Sequence, residues 1–245
     1  NVKFEGKNQF EGKVIDGYIS GAEVFIDQNF NFNKDIGELS TISQSNGSFL
    51  IGTDDEDLYQ CLQNRPIVAS VPVGAIDESL GEVSNAFRMI LPSINDAGGN
   101  SSIVITPFTD LLSQSIINAK AASSITEDLS VVDGCQAAGD SIASSVSNEI
   151  NQIMQTIESS FGISLNELIS DYISGSTSSI VNETKAQRIG SFLPYFKLIQ
   201  DEIDADLTNK YNKTINTNLT LRDDSINTIL QDDSFSLLPI DFYTV

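Results

Sequence analysis

The chain has no histidine and no tryptophan. Without imidazole it lacks the commonest general base, the commonest zinc ligand and every serine or cysteine triad built on that ring. Without indole, and with aromatics at 8% of residues, it has little from which to build a sugar platform. Positive charge is scarce too: 13 Lys and Arg stand against 34 Asp and Glu, a net charge of -21 that repels phosphate backbones and anionic lipid and attracts divalent cations. Nucleic acid is not an expected partner. No glycine-rich phosphate loop, Cys-X-X-Cys pair or nucleophile elbow occurs. No apolar run approaches the roughly 18 residues of a membrane helix, so no membrane span is expected. Two carboxylates would suffice for a glycosidase, but nothing among the 34 acidic residues selects a pair.

Cysteine is nearly absent. Cys61 and Cys135 would form one disulfide in a secreted chain or remain two buried thiols in a reducing compartment, and spacing does not decide between them. The chain starts at Asn1 without a charged leader or apolar segment, as expected for a secreted protein after signal removal or for an excised piece. Asn-X-Ser/Thr sequons begin at Asn46, Asn100, Asn182, Asn212 and Asn218, glycan acceptors in a eukaryotic secretory context and chance matches in a chain rich in Asn, Ser and Thr.

What is present folds: 40% of the residues are hydrophobic, too much buriable surface for a disordered acidic chain. Residues 1–11 read as an arm or edge strand. Lys13 to Ile15 and Ala22 to Ile26 read as strands about a turn at Gly17, Ser20 and Gly21. Directly after Ile26 comes DQNFNFNKDIGE, residues 27–38, in which Asp27, Asn29, Asn31, Asp35 and Glu38 space their oxygens as a short loop does around a hard cation. Ser45-Asn46-Gly47 is a hairpin signal ahead of Phe49 to Ile51. Asp54 to Asp57 form an acidic cluster, either a solvated turn or a second cation site. With the β-branched runs around Pro72, residues 12–97 read as a small β-sandwich.

The pattern GKVIDGYISGAEVFIDQNFNFNKDIGE followed by SNGSF resembles the calcium-loaded immunoglobulin-like repeats of bacterial surface proteins, a group related to collagen-adhesin B-type and carboxypeptidase-regulatory-like (transthyretin-like) sandwiches. In those families a strand ending V-F-x-D enters a loop of the form D-x-N-x-N-G-x-x-D-x-G-E. The resemblance implies Asp27, Asn29, Asn31, Asp35 and Glu38 as side-chain calcium ligands and Asn33 as a backbone one. The family's usual glycine is Phe32 here, so Asn33 is expected to take the left-handed conformation in its place. SSIVITPFTDLL, residues 101–112, looks like the I-T-P-x-T-T-L-L segment that follows such modules in large exported proteins. Lys13 would be the candidate for an intramolecular Lys-Asn bond of the adhesin type, with no Asn or Glu partner singled out.

The second half changes period. Gly98 to Ser102 read as a linker, and Thr106 caps a helix with Pro107 at its first position and Phe108, Leu111, Leu112, Ile116 and Ala119 on one face. A second helix from Gln136 to Phe161 carries a seam of Ile142, Val146, Ile150, Ile153, Ile157 and Phe161. Ser164 and Glu167 form a capping box for a short helix to Ile173. A longer helix, Ile180 to Leu207, is split at Pro194 and ends in acidic residues 201–206, a solvated face or a further cation site. Residues 214–245 alternate again, as a strand returning to a sheet or lent to a neighbour.

The expected fold is therefore α+β: an arm (1–11), a calcium-binding Ig-like or transthyretin-like sandwich (12–97), a helical domain (103–213) and a C-terminal extended segment (214–245). The expected function is a non-catalytic, exported structural protein, a calcium-stabilised subunit of an extracellular surface layer, filament or appendage that associates with itself or with other surface proteins. Two rival readings are an adhesin that recognises a glycan or host protein and a carboxylate-based hydrolase.

Overall fold

The computed structural model describes residues 8–95, 103–122, 137–174, 186–187, 189–190 and 193–194. In chain order the strands are β1 (Asn8–Val14), β2 (Ile19–Ser20), β3 (Glu23–Ile26), β4 (Ser40–Ile42), β5 (Ser48–Thr53), β6 (Ile67–Val71), β7 (Ile76–Asp77), β8 (Gly81–Glu82), β9 (Phe87–Leu91) and β10 (Ile103–Ile105). The helices are α1 (Glu56–Leu62), α2 (Pro107–Leu111), α3 (Ser113–Ala122), α4 (Ala137–Phe161) and α5 (Leu165–Leu168). The strands form three sheets, ordered β10-β1-β5, β4-β3-β6-β9 and β2-β7-β8. Every strand pair is antiparallel except β1 with β10.

Side-chain alternation explains the layering. Phe10 and Val14 of β1, Phe49 and Ile51 of β5, and Ile103 and Ile105 of β10 share one apolar cluster with Val24 and Ile26 of β3, Ile67 and Ala69 of β6, and Met89 and Leu91 of β9. The alternate residues Phe25, Val68 and Ile90 point the other way, onto Ile116 and Ala119 of α3 and Ile142 and Val146 of α4. Strands buried on both faces need continuous apolar runs rather than strict alternation, which is why VFI and IVA occur here. A third cluster joins Ile15 and Val104 to Phe108, Leu111 and Leu112, to Ile150, and to Leu168 and Tyr172. The helices thus lie directly on the sheets.

Several local expectations change. Residues 8–11, read as part of an arm or edge strand, belong to β1; β5 pairs with them, and β10 joins from Gly12. Asn46-Gly47 does turn the chain, at φ 60° and 70°, but makes no hairpin: β4 pairs with β3, and β5 pairs with β1 in another sheet. Asp54 to Asp57 are exposed at the start of α1, where Asp55 accepts from the Leu58 amide and favours the helix dipole. Residues 103–105 join the β-structure ahead of the helices. Thr106 caps as expected and forms a full capping box with Thr109, although the helix it starts is broken into α2 and α3. Ser164 Oγ bonds the Glu167 carboxylate itself at 2.8 Å, and α5 stops at Leu168. Most of the helix expected from Ile180 to Leu207, and all of 214–245, lie outside the described residues. Cys61 is disulfide-bonded; the chain's other cysteine, Cys135, lies outside the described residues.

Gly12 sits where the parallel strand comes closest. A side chain there would strike the Ile103 carbonyl oxygen and the Phe49 ring, so β10 can dock only on a bare backbone. Gly12→Ala should therefore lower the unfolding free energy by about 1–3 kcal/mol. The measurement is the urea midpoint at unchanged m-value, and an unmoved midpoint would show that β10 does not rest on this position.

Candidate metal centre

β3 runs straight into the oxygen-rich loop. Its last residues face the core, and the backbone amide of Asp27 is anchored on the Pro66 carbonyl at 2.9 Å. The Asp27 side chain is fully buried. Its Oδ1 accepts from the Asn29 and Asn31 amides at 3.3 and 3.2 Å, and its Oδ2 from the Phe32 amide at 2.8 Å. To aim those amides at one carboxylate the chain reverses twice, at Phe30 and Phe32, with φ 58° and 63°. The sequence expectation placed the left-handed residue at Asn33; the structure places it on two phenylalanines, which rarely adopt it.

Packing around the two rings offsets that strain. The Phe30 ring is buried among Phe25, Ile116 and Ala119, with the Arg65 guanidinium 5.3 Å from its centroid. Arg88 and Lys120 lie 5.6 and 5.5 Å from the Phe32 ring, within cation–π range. The carbonyls exposed by the reversals are taken as well: Lys120 Nζ donates to Phe30 O, and Arg88 Nη1 donates to Phe32 O at 2.8 Å.

All six expected ligand residues are brought into one hydrogen-bond network, Asn33 at its exposed rim. Asn29 Nδ2 and Asn31 Nδ2 both donate to Asp35 Oδ2, at 2.7 and 2.6 Å. Glu38 closes the loop, its Oε1 accepting from the Gln28 amide at 2.8 Å and its Oε2 from the Asp35 amide at 2.9 Å. Asn29 Oδ1 and Asn31 Oδ1 accept from the Asn31 and Asn33 amides. Asn33 itself is exposed at the rim, its Nδ2 donating to Asn31 O.

The electrostatics are unbalanced toward oxygen. Burial pushes the Asp27 carboxyl up, opposed by its three backbone hydrogen bonds and by Lys120. Burial, with Asp27 and Asp35 nearby, raises Glu38 to about 6 against the pull of two backbone amides. Gln28 Oε1 is buried with no hydrogen-bond partner. An all-oxygen donor set of two buried carboxylates, a third carboxylate and three amides suits a hard cation such as calcium rather than zinc or copper. The three carboxylates do not by themselves gather into a cluster, and no group of three His, Cys, Asp or Glu able to hold a metal occurs among the described residues. Any cation here would rely on amide oxygens. Asn side chains supply those by turning over, since their two ends differ little in shape.

Sequence reasoning missed the residues that brace this loop, Lys120 and Arg88, and a second buried acidic site beyond it. Asp16 is 2% exposed and its Oδ1 has no partner; burial and the neighbouring Asp77 push its pKa well above the usual carboxylate range. Asp77 instead organises a turn, accepting from the Gly17, Ser79 and Leu80 amides. Lys13 bonds Asp171 at 2.7 Å, with Tyr18 donating to the same carboxylate. Its partner is thus an aspartate in an ion pair, not an asparagine. The acidic residues 201–206 lie outside the described residues.

Asp16 supplies a pH test. A carboxyl whose folded pKa lies above its unfolded one binds its proton more tightly when folded. Its contribution to stability is full below the unfolded value and is lost as pH rises through the folded one. Asp16→Asn should therefore raise the melting temperature at neutral pH and flatten its decline with pH; an unchanged pH profile would show that Asp16 is not the titrating group. No protein-family model matches the chain, and no curated protein or solved structure matches it, so the reading of the loop rests on its own geometry.

Proposed function

We propose that the protein is a non-catalytic, exported structural protein, a subunit of a cell-surface layer, filament or appendage whose N-terminal Ig-like sandwich is held in shape by calcium in loop 27–38. The observation that carries this reading is the loop itself. Two buried carboxylates, Asp27 and Glu38, and a third at Asp35 are hydrogen-bonded into one loop with a strained backbone, with Lys120 acting electrostatically on Asp27. Asp27, Asn29, Asn31, Asp35 and Glu38 would hold the ion through side-chain oxygens and Asn33 through its carbonyl. Calcium would supply the missing positive charge. Two further features support export and a structural role: the disulfide at Cys61, which persists in oxidising compartments, and the absence from the chain of histidine and of nucleophile motifs. The acidic surface favours a calcium-rich exterior over a nucleic acid or an anionic membrane.

Calcium should stabilise the protein by mass action, about 2.7 kcal/mol at a hundredfold excess over the dissociation constant. Scanning calorimetry in calcium and in chelator reads this directly. Asp27→Ala should lose the calcium-dependent part of the shift, and identical melts with and without chelator would remove calcium from the account.

Protons should compete with calcium at Glu38. Since Glu38 titrates at about 6 in the ion-free protein and binds calcium only as the carboxylate, the calcium-induced rise in melting temperature should shrink as pH falls from 7.5 to 5. Glu38→Gln should remove that pH dependence, and a calcium shift equal at both pH values would exclude Glu38 as a ligand. Assembly is tested separately, by gel filtration and electron microscopy in millimolar calcium. Filaments, lattices or defined oligomers are expected; a monomer under every condition overturns the structural role.

A further inference from the structure

Among the described residues, the outer face of the four-stranded sheet is covered by α3 and α4 along only part of its length. Phe25, Val68 and Ile90 lie beneath α3 and α4. Two residues along each strand, the same face carries Glu23, Ser70 and Arg88, brought into one row by the register Glu23 to Ser70 to Arg88. This row lines a cavity of about 340 Å³, at the small end of the range for small-molecule sites. Phe25 lines it as well, and Phe32 and Lys34 of the loop contribute a further wall.

Arg88 sets the chemistry. Its Nη1 donates to Phe32 O at 2.8 Å, and its guanidinium lies 5.6 Å from the Phe32 ring centroid, so the head group is held in place. Among the described residues it makes no other hydrogen bond and no ion pair; Glu23, on the same row, is not bridged to it. A guanidinium offers five N–H donors in a planar fork that matches a carboxylate. Most of that fork is therefore available at the cavity. In a chain with 13 basic residues and 34 acidic ones, an arginine fixed by a backbone carbonyl and without a carboxylate partner among the described residues is positioned for an anion from outside. Lys34, whose Nζ is held on the Asp35 carbonyl at 2.7 Å, adds positive charge on the loop side.

Phe32 gives the cavity apolar surface, while Phe25 is 1% exposed beneath the helices. Glu23 stands two strands from Arg88, about 10 Å away at ordinary strand spacing, and disfavours a second negative group at that end. We propose that this cavity binds a small monocarboxylate carried on an apolar body, the carboxylate on Arg88 and the body against the Phe32 ring. The site goes beyond the structural role argued above and does not require a cation in the loop.

Titration calorimetry of the whole protein with phenylpropionate and with its neutral counterpart phenylpropanol tests the assignment. The acid should bind saturably at one site, and both the alcohol and the acid with Arg88→Gln should bind at least about tenfold more weakly, the loss expected for a charge-assisted pair. Because Arg88 also holds the Phe32 carbonyl, a second variant separates binding from folding. Ser70→Leu fills the cavity floor without altering the guanidinium and should abolish binding at an unchanged melting temperature. Equal affinity for acid and alcohol, no saturation at millimolar acid, or unaltered binding by Ser70→Leu overturns the proposal.

Discussion

Asp27 follows a core strand with a carboxylate that has no exposed surface, and the rest of the loop is bent to serve it. A buried carboxylate left to itself would be costly; this one is met by three backbone N–H groups from Asn29, Asn31 and Phe32. Bringing three amides of one short segment onto two oxygens forces the backbone through the left-handed region at Phe30 and Phe32. Those reversals turn carbonyls toward Lys120 and Arg88 and press the Phe30 ring into the layer between sheet and helices. The carboxylate, the strain and the cations are consequences of one arrangement.

That arrangement also ties the loop to elements distant in sequence. Lys120 comes from α3, whose Ile116 and Ala119 pack on Phe25 and Phe30, and Arg88 comes from β9, at the edge of the same sheet. Loop 27–38 is therefore a joint between the strands and the helices rather than an appendage to either. A ligand that stiffens the loop would be felt in both layers.

Much of this was legible in the residues, for reasons that also mark where legibility ends. The loop's spacing of Asp27, Asn29, Asn31, Asp35 and Glu38 is local chemistry, and five of those residues do meet in one network. Thr106-Pro107 is local as well, and the cap forms. Asn46-Gly47 shows the limit: a turn dipeptide says that the chain reverses, not which strand it pairs with afterwards, and burial sends β5 to β1 instead of β4. β10 is three residues long and fits beside β1 because Gly12, far away in sequence, leaves room for it. Ser164 and Glu167 sit at capping-box spacing, yet the hydroxyl goes to the carboxylate itself. The left-handed phenylalanines run against propensity, and only tertiary packing and the neighbouring cations account for them.

The buried acids separate into kinds by the same physics. Asp16 has no donor to offset burial, and the nearby Asp77 adds to the penalty, so the fold favours its neutral form. At Asp27 the same penalty is opposed by three amides and Lys120, and at Glu38 by two amides. A divalent cation is drawn to carboxylates whose burial penalty is partly offset by hydrogen bonds to the charged form and whose remaining lone pairs are open; an ionised carboxylate offers about four such positions, and Asp27 has committed three. Asp16 fails the first condition, since no hydrogen bond offsets its burial. The distinction favours the loop over the Asp16–Asp77 pair as the site of the proposed cation, although both hold buried carboxylates. It also explains why the scarce cations Lys120 and Arg88 stand beside the loop: they supply part of the positive field that an ion would complete.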